Sequence, residues 1–322
     1  MNAKTMFGIL TSLVMLAGTA CGAADGTSAE ADTSVQEDTL SAKTFTADSS
    51  NVKLLGRNYL ADDGTLWVVH SASGVEFSFM GTKASVTIVG DSGAGTAQNS
   101  GNEARFAVYV NGKLTMDELV TEPEKTYEIF SSDAEAETVV RIIKLSESAN
   151  STFGIKSIDA ECTGGIQPTA PKDLKIEFIG DSITASDGML IKAYGAPSMN
   201  TFLGYAAKTA RAIGANVNNV AVAGAKTAAM RDRFNNWTGE NVQKQIVVIN
   251  LGTNDFGWST SAAASTQSGL KDTCLGLIAD VRAKYGADTY IIWAYGMMFD
   301  KDKDFPAAVV EEYRTANNDE RV

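Results

Sequence analysis

The sequence predicts two domains in series: an all-β sandwich, then a parallel-sheet α/β domain of three layers, α/β/α. Two patterns and the break between them carry that reading. From residue 51 to Cys162, apolar side chains recur every second position in short runs, punctuated by Gly, Asn and Asp. From residue 173 to residue 322, unbroken apolar runs alternate with helical stretches, the pattern of a parallel sheet covered on both faces. Between them, residues 163–172 gather Gly and Pro as a linker does.

Taken in order, the chain opens with Lys4, a mostly apolar stretch from Met6 to Ala17, and small residues up to Cys21. That stretch is too short to span a bilayer stably, so residues 1–20 read as an export signal. Gly18-Thr19-Ala20-Cys21 has the form of a bacterial lipobox, with Gly18 where leucine is usual. The competing reading is an ordinary secretory signal with an incidental cysteine. Both place the mature protein outside the cytoplasm, and the first makes Cys21 a lipidation site anchoring it to the cell envelope. Residues 21–50 have almost no large apolar side chains and are expected to form a disordered tether.

In the sandwich, Leu66–Val69, Val75–Phe79, Ser85–Val89, Arg105–Val110 and Thr138–Ile143 are the expected strands. Asn111-Gly112 signals a hairpin, because both residues tolerate positive φ. In the second domain Leu174–Ile179, Val217–Val222, Ile246–Leu251 and Tyr290–Trp293 are expected strands. Thr201–Ile213, Gly269–Tyr285 and Ala307–Ala316 are expected helices. Three cysteines make no disulfide framework, and Cys162 and Cys274 are expected to stay separate thiols. The chain carries 27 Lys+Arg against 39 Asp+Glu, and a net charge of −12 repels phosphate backbones, which argues against a nucleic-acid partner. A monomer is expected.

The chemistry falls at the carboxyl ends of three successive strands, where ligands gather in such sheets. Ile179-Gly180-Asp181-Ser182-Ile183-Thr184 follows the first, Ala223-Gly224-Ala225 the second, and Leu251-Gly252-Thr253-Asn254-Asp255 the third. Together these loops supply a hydroxyl, a backbone N–H and a side-chain amide, the set acyl transfer requires. Ser182 is the candidate nucleophile; the N–H groups of Ser182 and Gly224 and the Asn254 side chain are candidate oxyanion donors. Asp255 is expected to hold its loop. Trp258 has two readings, a stacking platform for a sugar ring or a partly buried loop residue. Met297 and Met298 are expected in the core or a pocket wall.

With these motifs in place, the chain resembles the SGNH (GDSL-like) hydrolase family. Gly180-Asp181-Ser182-Ile183-Thr184 matches its first block, Gly224 its second and Gly252-Thr253-Asn254-Asp255 its third. The separations, 42 positions from Ser182 to Gly224 and 72 to Asn254, are usual there. Upstream, Gly56-Arg57-Asn58-Tyr59-Leu60, Gly74-Val75-Glu76-Phe77, Val108-Tyr109-Val110-Asn111-Gly112 and Ile143-Lys144-Leu145-Ser146-Glu147 resemble the N-terminal module of carbohydrate esterase family 2. The resemblance covers residues 51–322 and implies a jelly-roll sandwich ahead of a flavodoxin-like SGNH domain. It further implies a serine esterase that removes O-acetyl groups from plant polysaccharide of the xylan or mannan type, with no metal or cofactor. One departure is Ala185-Ser186-Asp187-Gly188, where family members often have Cys-Gly-Tyr-Gly.

A serine hydroxyl needs a general base, usually histidine. The family keeps that histidine in a fourth block, Asp-x-x-His, after the last strand. This chain has a single histidine, His70, in the run Trp67–His70 of the sandwich. It is expected to be a strand or surface residue without catalytic role; the rival reading has it reach across the domain interface as a replacement base. The expectation is a chain that stops before its fourth block and hydrolyses esters poorly or not at all. Two alternatives stand beside the acetylesterase. One is a lipase-like or lysophospholipase-like SGNH acylhydrolase, against which the sequence shows no exposed apolar lid. The other is a non-catalytic surface sugar-binding lipoprotein.

Overall fold

The computed structural model describes residues 39–322 except 148, 150, 238–242, 257–266, 268, 299 and 300. The N-terminal domain holds nine strands: β1 Ser41–Phe45, β2 Lys53–Leu55, β3 Asn58–Leu60, β4 Leu66–Val68, β5 Gly74–Gly90, β6 Arg105–Val110, β7 Lys113–Leu119, β8 Glu124–Lys144 and β9 Phe153–Pro168. Their hydrogen bonds form one antiparallel network in the order β3-β4-β9-β5-β8-β6-β7, with β1 added to β9 and β2 to β5. Phe77, Phe106 and Phe153 are fully buried in a shared core, and losing any of these rings typically costs about 3–5 kcal/mol.

Three sequence expectations need correction. The runs Val75–Phe79 and Ser85–Val89 are one strand, not two. Val75, Phe77 and Phe79 face the core, and so do Ala84, Val86 and Ile88, because the pairing with β9 shifts between Gly81 and Lys83 and Thr82 is the extra residue. A Cβ on Gly81 would stand 2.2 Å from the Glu161 carbonyl oxygen, so glycine is required where β9 crosses this bulge. Second, the expected tether to residue 50 contains β1, whose Ser41–Phe45 pairs with Cys162–Ile158 of β9. Third, β9 continues to Pro168, so six residues of the expected linker belong to a strand.

The C-terminal domain has four strands, β10 Lys175–Gly180, β11 Asn216–Ala221, β12 Ile246–Asn250 and β13 Tyr290–Trp293, all parallel in the order β11-β10-β12-β13. Among the described residues, six helices accompany them: α1 Ser182–Ala185, α2 Tyr205–Ala212, α3 Thr227–Asn235, α4 Thr253–Phe256, α5 Leu270–Tyr285 and α6 Asp304–Asn317. Alternation along the strands sends Ile176, Phe178 and Val248 to α2, whose Ala206 and Ala210 allow close approach. Ile179, Val247, Ile249 and Ile291 face α3, α5 and α6 instead. The result is the three-layer α/β/α arrangement. Cys162 and Cys274 are buried in different cores and unpaired.

A charged cluster joins the domains. Glu177, in the apolar strand β10, is completely buried, and both of its oxygens accept from Arg57 Nη2, at 3.0 and 2.9 Å. Arg57 lies between β2 and β3. Tyr285 of α5 and Asn218 of β11 also donate to Glu177. Trp237 covers the guanidinium at 5.0 Å, and His70 packs on Trp237 at 5.6 Å between ring centres.

Candidate active site

The three loops named by the sequence emerge side by side, because Gly180 is in register with Ala221 on one flank and Asn250 on the other. The first loop turns sharply into α1. A Cβ on Gly180 would lie 2.0 Å from Thr184 Oγ1, so only glycine lets the helix fold back on its strand. Asp181 caps that turn, accepting the Ile183 N–H at 3.0 Å. Ser182 is the first helical residue and is half-buried, and its Oγ has no hydrogen-bond partner among the described residues. Ser186 closes the turn at φ +65°, the left-handed region that glycine adopts without strain.

In the second loop, Gly224 has φ +74° and open space where a Cβ would stand. The N–H groups on either side are used: Ala223 donates to the Glu147 carboxylate, and Ala225 to the Val222 carbonyl at 3.2 Å. The Gly224 N–H has no acceptor among the described residues, and the residue itself is exposed. In the third loop, Asn254 Nδ2 donates to Asp181 Oδ2 at 3.3 Å and to the Ala225 carbonyl at 3.0 Å. This one amide ties all three loops together, beside Ser182 on one side and Gly224 on the other. Both of its N–H groups are engaged within the protein, so as a donor to a ligand it must exchange one, and the 3.3 Å bond is the weaker.

The electrostatics of this edge are set by burial. Asp181 is fully buried, and desolvation, helped by nearby Asp255, pushes its carboxyl up to about 6. Asp255 Oδ2 accepts the Thr227 N–H at 3.1 Å and its hydroxyl at 2.9 Å, capping α3, so it holds its loop as expected. A hydroxyl beside two unused backbone donors is a set that can attack a carbonyl and steady the resulting oxyanion.

The remaining candidates fall elsewhere. Trp258 and Cys21 lie outside the described residues. His70 is neither in a strand nor on the surface: β4 ends at Val68, and the imidazole is 3% exposed beneath Trp237. Burial and the charges of Arg57, Arg233 and Lys144 press it down to about 3, far too weakly basic to activate a hydroxyl. The sequence also suggested no exposed apolar lid. The structure exposes Met189, Leu190, Ile191 and Tyr194 a few positions after Ser182, with Tyr194 at 90%, and Met297 and Met298 are exposed rather than core. Sequence reasoning quoted Glu147 without giving it a role; the signal was a charged residue closing the run Ile143–Glu147 just past a buried strand.

Residues 178–320 match the family described as GDSL-like Lipase/Acylhydrolase. Fold, three-loop edge and this match together define an SGNH-type hydrolase domain. Residues 54–170 match the carbohydrate esterase 2 N-terminal family. The chain thus carries a GDSL-like lipase/acylhydrolase domain and, ahead of it, a carbohydrate esterase 2 N-terminal domain. Among curated proteins it is 32% identical over 278 residues to the cellulase/esterase CelE of Acetivibrio thermocellus, covering 79% of this chain and 32% of that protein. The chain therefore spans about a third of the length of that relative. Among solved structures, a family two carbohydrate esterase from Cellvibrio japonicus shares the fold at TM-score 0.76 and 18% identity over 88% of each chain. Another, from Clostridium thermocellum in complex with cellohexaose, aligns at TM-score 0.70 and 27% identity over 83% of this chain and 84% of that one.

Proposed function

We infer that the protein is a carbohydrate O-acetylesterase acting on acetylated plant polysaccharide of the xylan or mannan type. The observation that carries this reading is the Asn254 amide, bonded at once to Asp181 and Ala225, the neighbours of Ser182 and Gly224. In this reading Ser182 Oγ attacks the acetyl carbonyl as its proton passes to water, and the Ser182 and Gly224 N–H groups receive the oxyanion. Asn254 turns from Asp181 toward it. Each such donor typically lowers the barrier by about 3–4 kcal/mol. Collapse breaks the ester bond to the sugar oxygen, which takes up a proton, and water then hydrolyses the acetyl-serine to acetate and free serine. A polysaccharide substrate is supported by the cellulase/esterase relative and by the cellohexaose-bound neighbour. Export by residues 1–20 and a lipid anchor at Cys21 complete the proposal, and no step uses a metal or cofactor.

The 322 residues supply one imidazole, His70, which is buried and poorly basic. As this polypeptide alone, hydrolysis should be slow. The test is acetate release from acetylated xylan by the protein expressed from its complete gene, beside Ser182→Ala. The variant should lose at least about a thousandfold in kcat with an unchanged melting temperature. A second reading, hydrolysis of longer acyl esters, is favoured by the exposed run Met189–Ile191. Preference for long-chain esters over acetylated xylan would replace the first reading with the second.

A further inference from the structure

One carboxylate crosses from the β-domain to the catalytic edge. Glu147 lies three residues past β8, is 7% exposed, and accepts the Ala223 N–H in the loop that carries Gly224. Its own backbone is held on both sides. The Glu147 N–H donates to Met199 Sδ at 3.4 Å, and its carbonyl accepts from Lys144 Nζ at 3.0 Å. Lys144 is completely buried, and the same ammonium donates to the carbonyls of Val69 and Ser151. Moving Glu147 would take one of three acceptors from a buried amine that has no water to turn to, so the carboxylate stands on a stiff support.

We propose that Glu147 is a positioning residue for the second loop: by taking the Ala223 N–H and so fixing the 223–225 turn, it leaves the Gly224 N–H as the outward donor. The β-domain then completes the oxyanion site instead of merely preceding it. The pattern of bonds requires this division. Ala223 and Ala225 are both committed, Gly224 alone is not, and its φ of +74° depends on the planes to either side. A carboxylate near a developing oxyanion is electrostatically unhelpful, and burial, then Asp187 nearby, disfavours its charge. Its contribution is therefore geometric, and a neutral acceptor of equal reach should serve.

The test uses the full chain carrying Glu147→Asp, which withdraws the acceptor by one methylene, and Glu147→Gln, which keeps it in reach. Amide hydrogen exchange over residues 220–226 is compared with exchange in β12. The Asp variant should speed exchange over 220–226 about tenfold with β12 unchanged, and the Gln variant should stay within about twofold of wild type. In an acetyl ester assay the Asp variant should lose about tenfold in kcat at constant KM, and Gln should restore it. The rate arm rests on the esterase reading and the exchange arm does not, so a wild type too slow to assay leaves that reading to the Ser182→Ala comparison and this proposal to exchange alone. Unchanged exchange over 220–226 in the Asp variant, an equal rise in β12, or a Gln variant as damaged as Asp overturns the proposal.

Discussion

The Arg57–Glu177 pair in the domain interface and the three-loop edge at Ser182 are built in opposite ways. In the interface, buried Glu177 receives hydrogen bonds from Arg57, Tyr285 and Asn218, so each charge there is answered. At the edge, Ser182 Oγ and the Gly224 N–H have no partner among the described residues, and Asp181 is buried beside like-charged Asp255. The first arrangement pairs two charges that have almost no access to water; the second leaves donors open to solvent beside a carboxyl whose charge burial disfavours. Stability and reactivity are thus assigned to different residues a few strand positions apart.

The contrast can be broken at its strongest point. Arg57→Ala should destabilise the protein by about 3–5 kcal/mol in urea unfolding, because it leaves the Glu177 carboxylate buried without its cation. A loss below about 1 kcal/mol would mean the interface is not held this way. The edge should respond with the opposite sign. The folded Asp181 carboxyl sits at about 6 against 3.8 for the free side chain, so the folded state holds its proton more tightly. Its favourable contribution is complete below 3.8 and lost as pH rises through about 6. Asp181→Asn should therefore stabilise the protein by about 2–3 kcal/mol at pH 8, a gain that fades toward pH 4.

His70 sharpens the comparison from the interface side. Its folded value of about 3 lies below the ordinary 6.5, so the stability it confers is present above 6.5 and lost as pH falls toward 3. In an Asp181→Asn background, which removes the opposing slope, His70→Gln should flatten the acid limb by about 1.4 kcal/mol per pH unit in that window. The smallest effect belongs to a pair in neither region. Lys156 and Glu124 meet at 2.8 Å with both side chains about half exposed, and a double-mutant cycle should give under about 1 kcal/mol.

Much of this design was legible in the chain, for reasons specific to each element. The strands of the parallel sheet are buried on both faces, so they appear as unbroken apolar runs, and Tyr290–Trp293 was placed to the residue. The loops that carry Ser182, Gly224 and Asn254 could be located because they follow those runs directly. Strand β1 could not, since an edge strand reading Ser-Ala-Lys-Thr-Phe offers one large apolar side chain. The long strands looked short because bulges interrupt their period. Arg57 and Glu177 are 120 positions apart, and no local pattern pairs them. Yet the lone acid within Lys175-Ile176-Glu177-Phe178-Ile179 was a signal that a cation must arrive from elsewhere.

The bulge at Thr82 has a consequence for how this chain can change in length. It resets the phase of β5, so deleting that one residue would leave Phe77 and Val86 on a common side of the strand. Deleting a residue elsewhere in the strand's interior would turn one of the two apolar sets toward water. The seventeen-residue strand thus has one place where an insertion or deletion can be absorbed, and drift in length among its descendants should collect there.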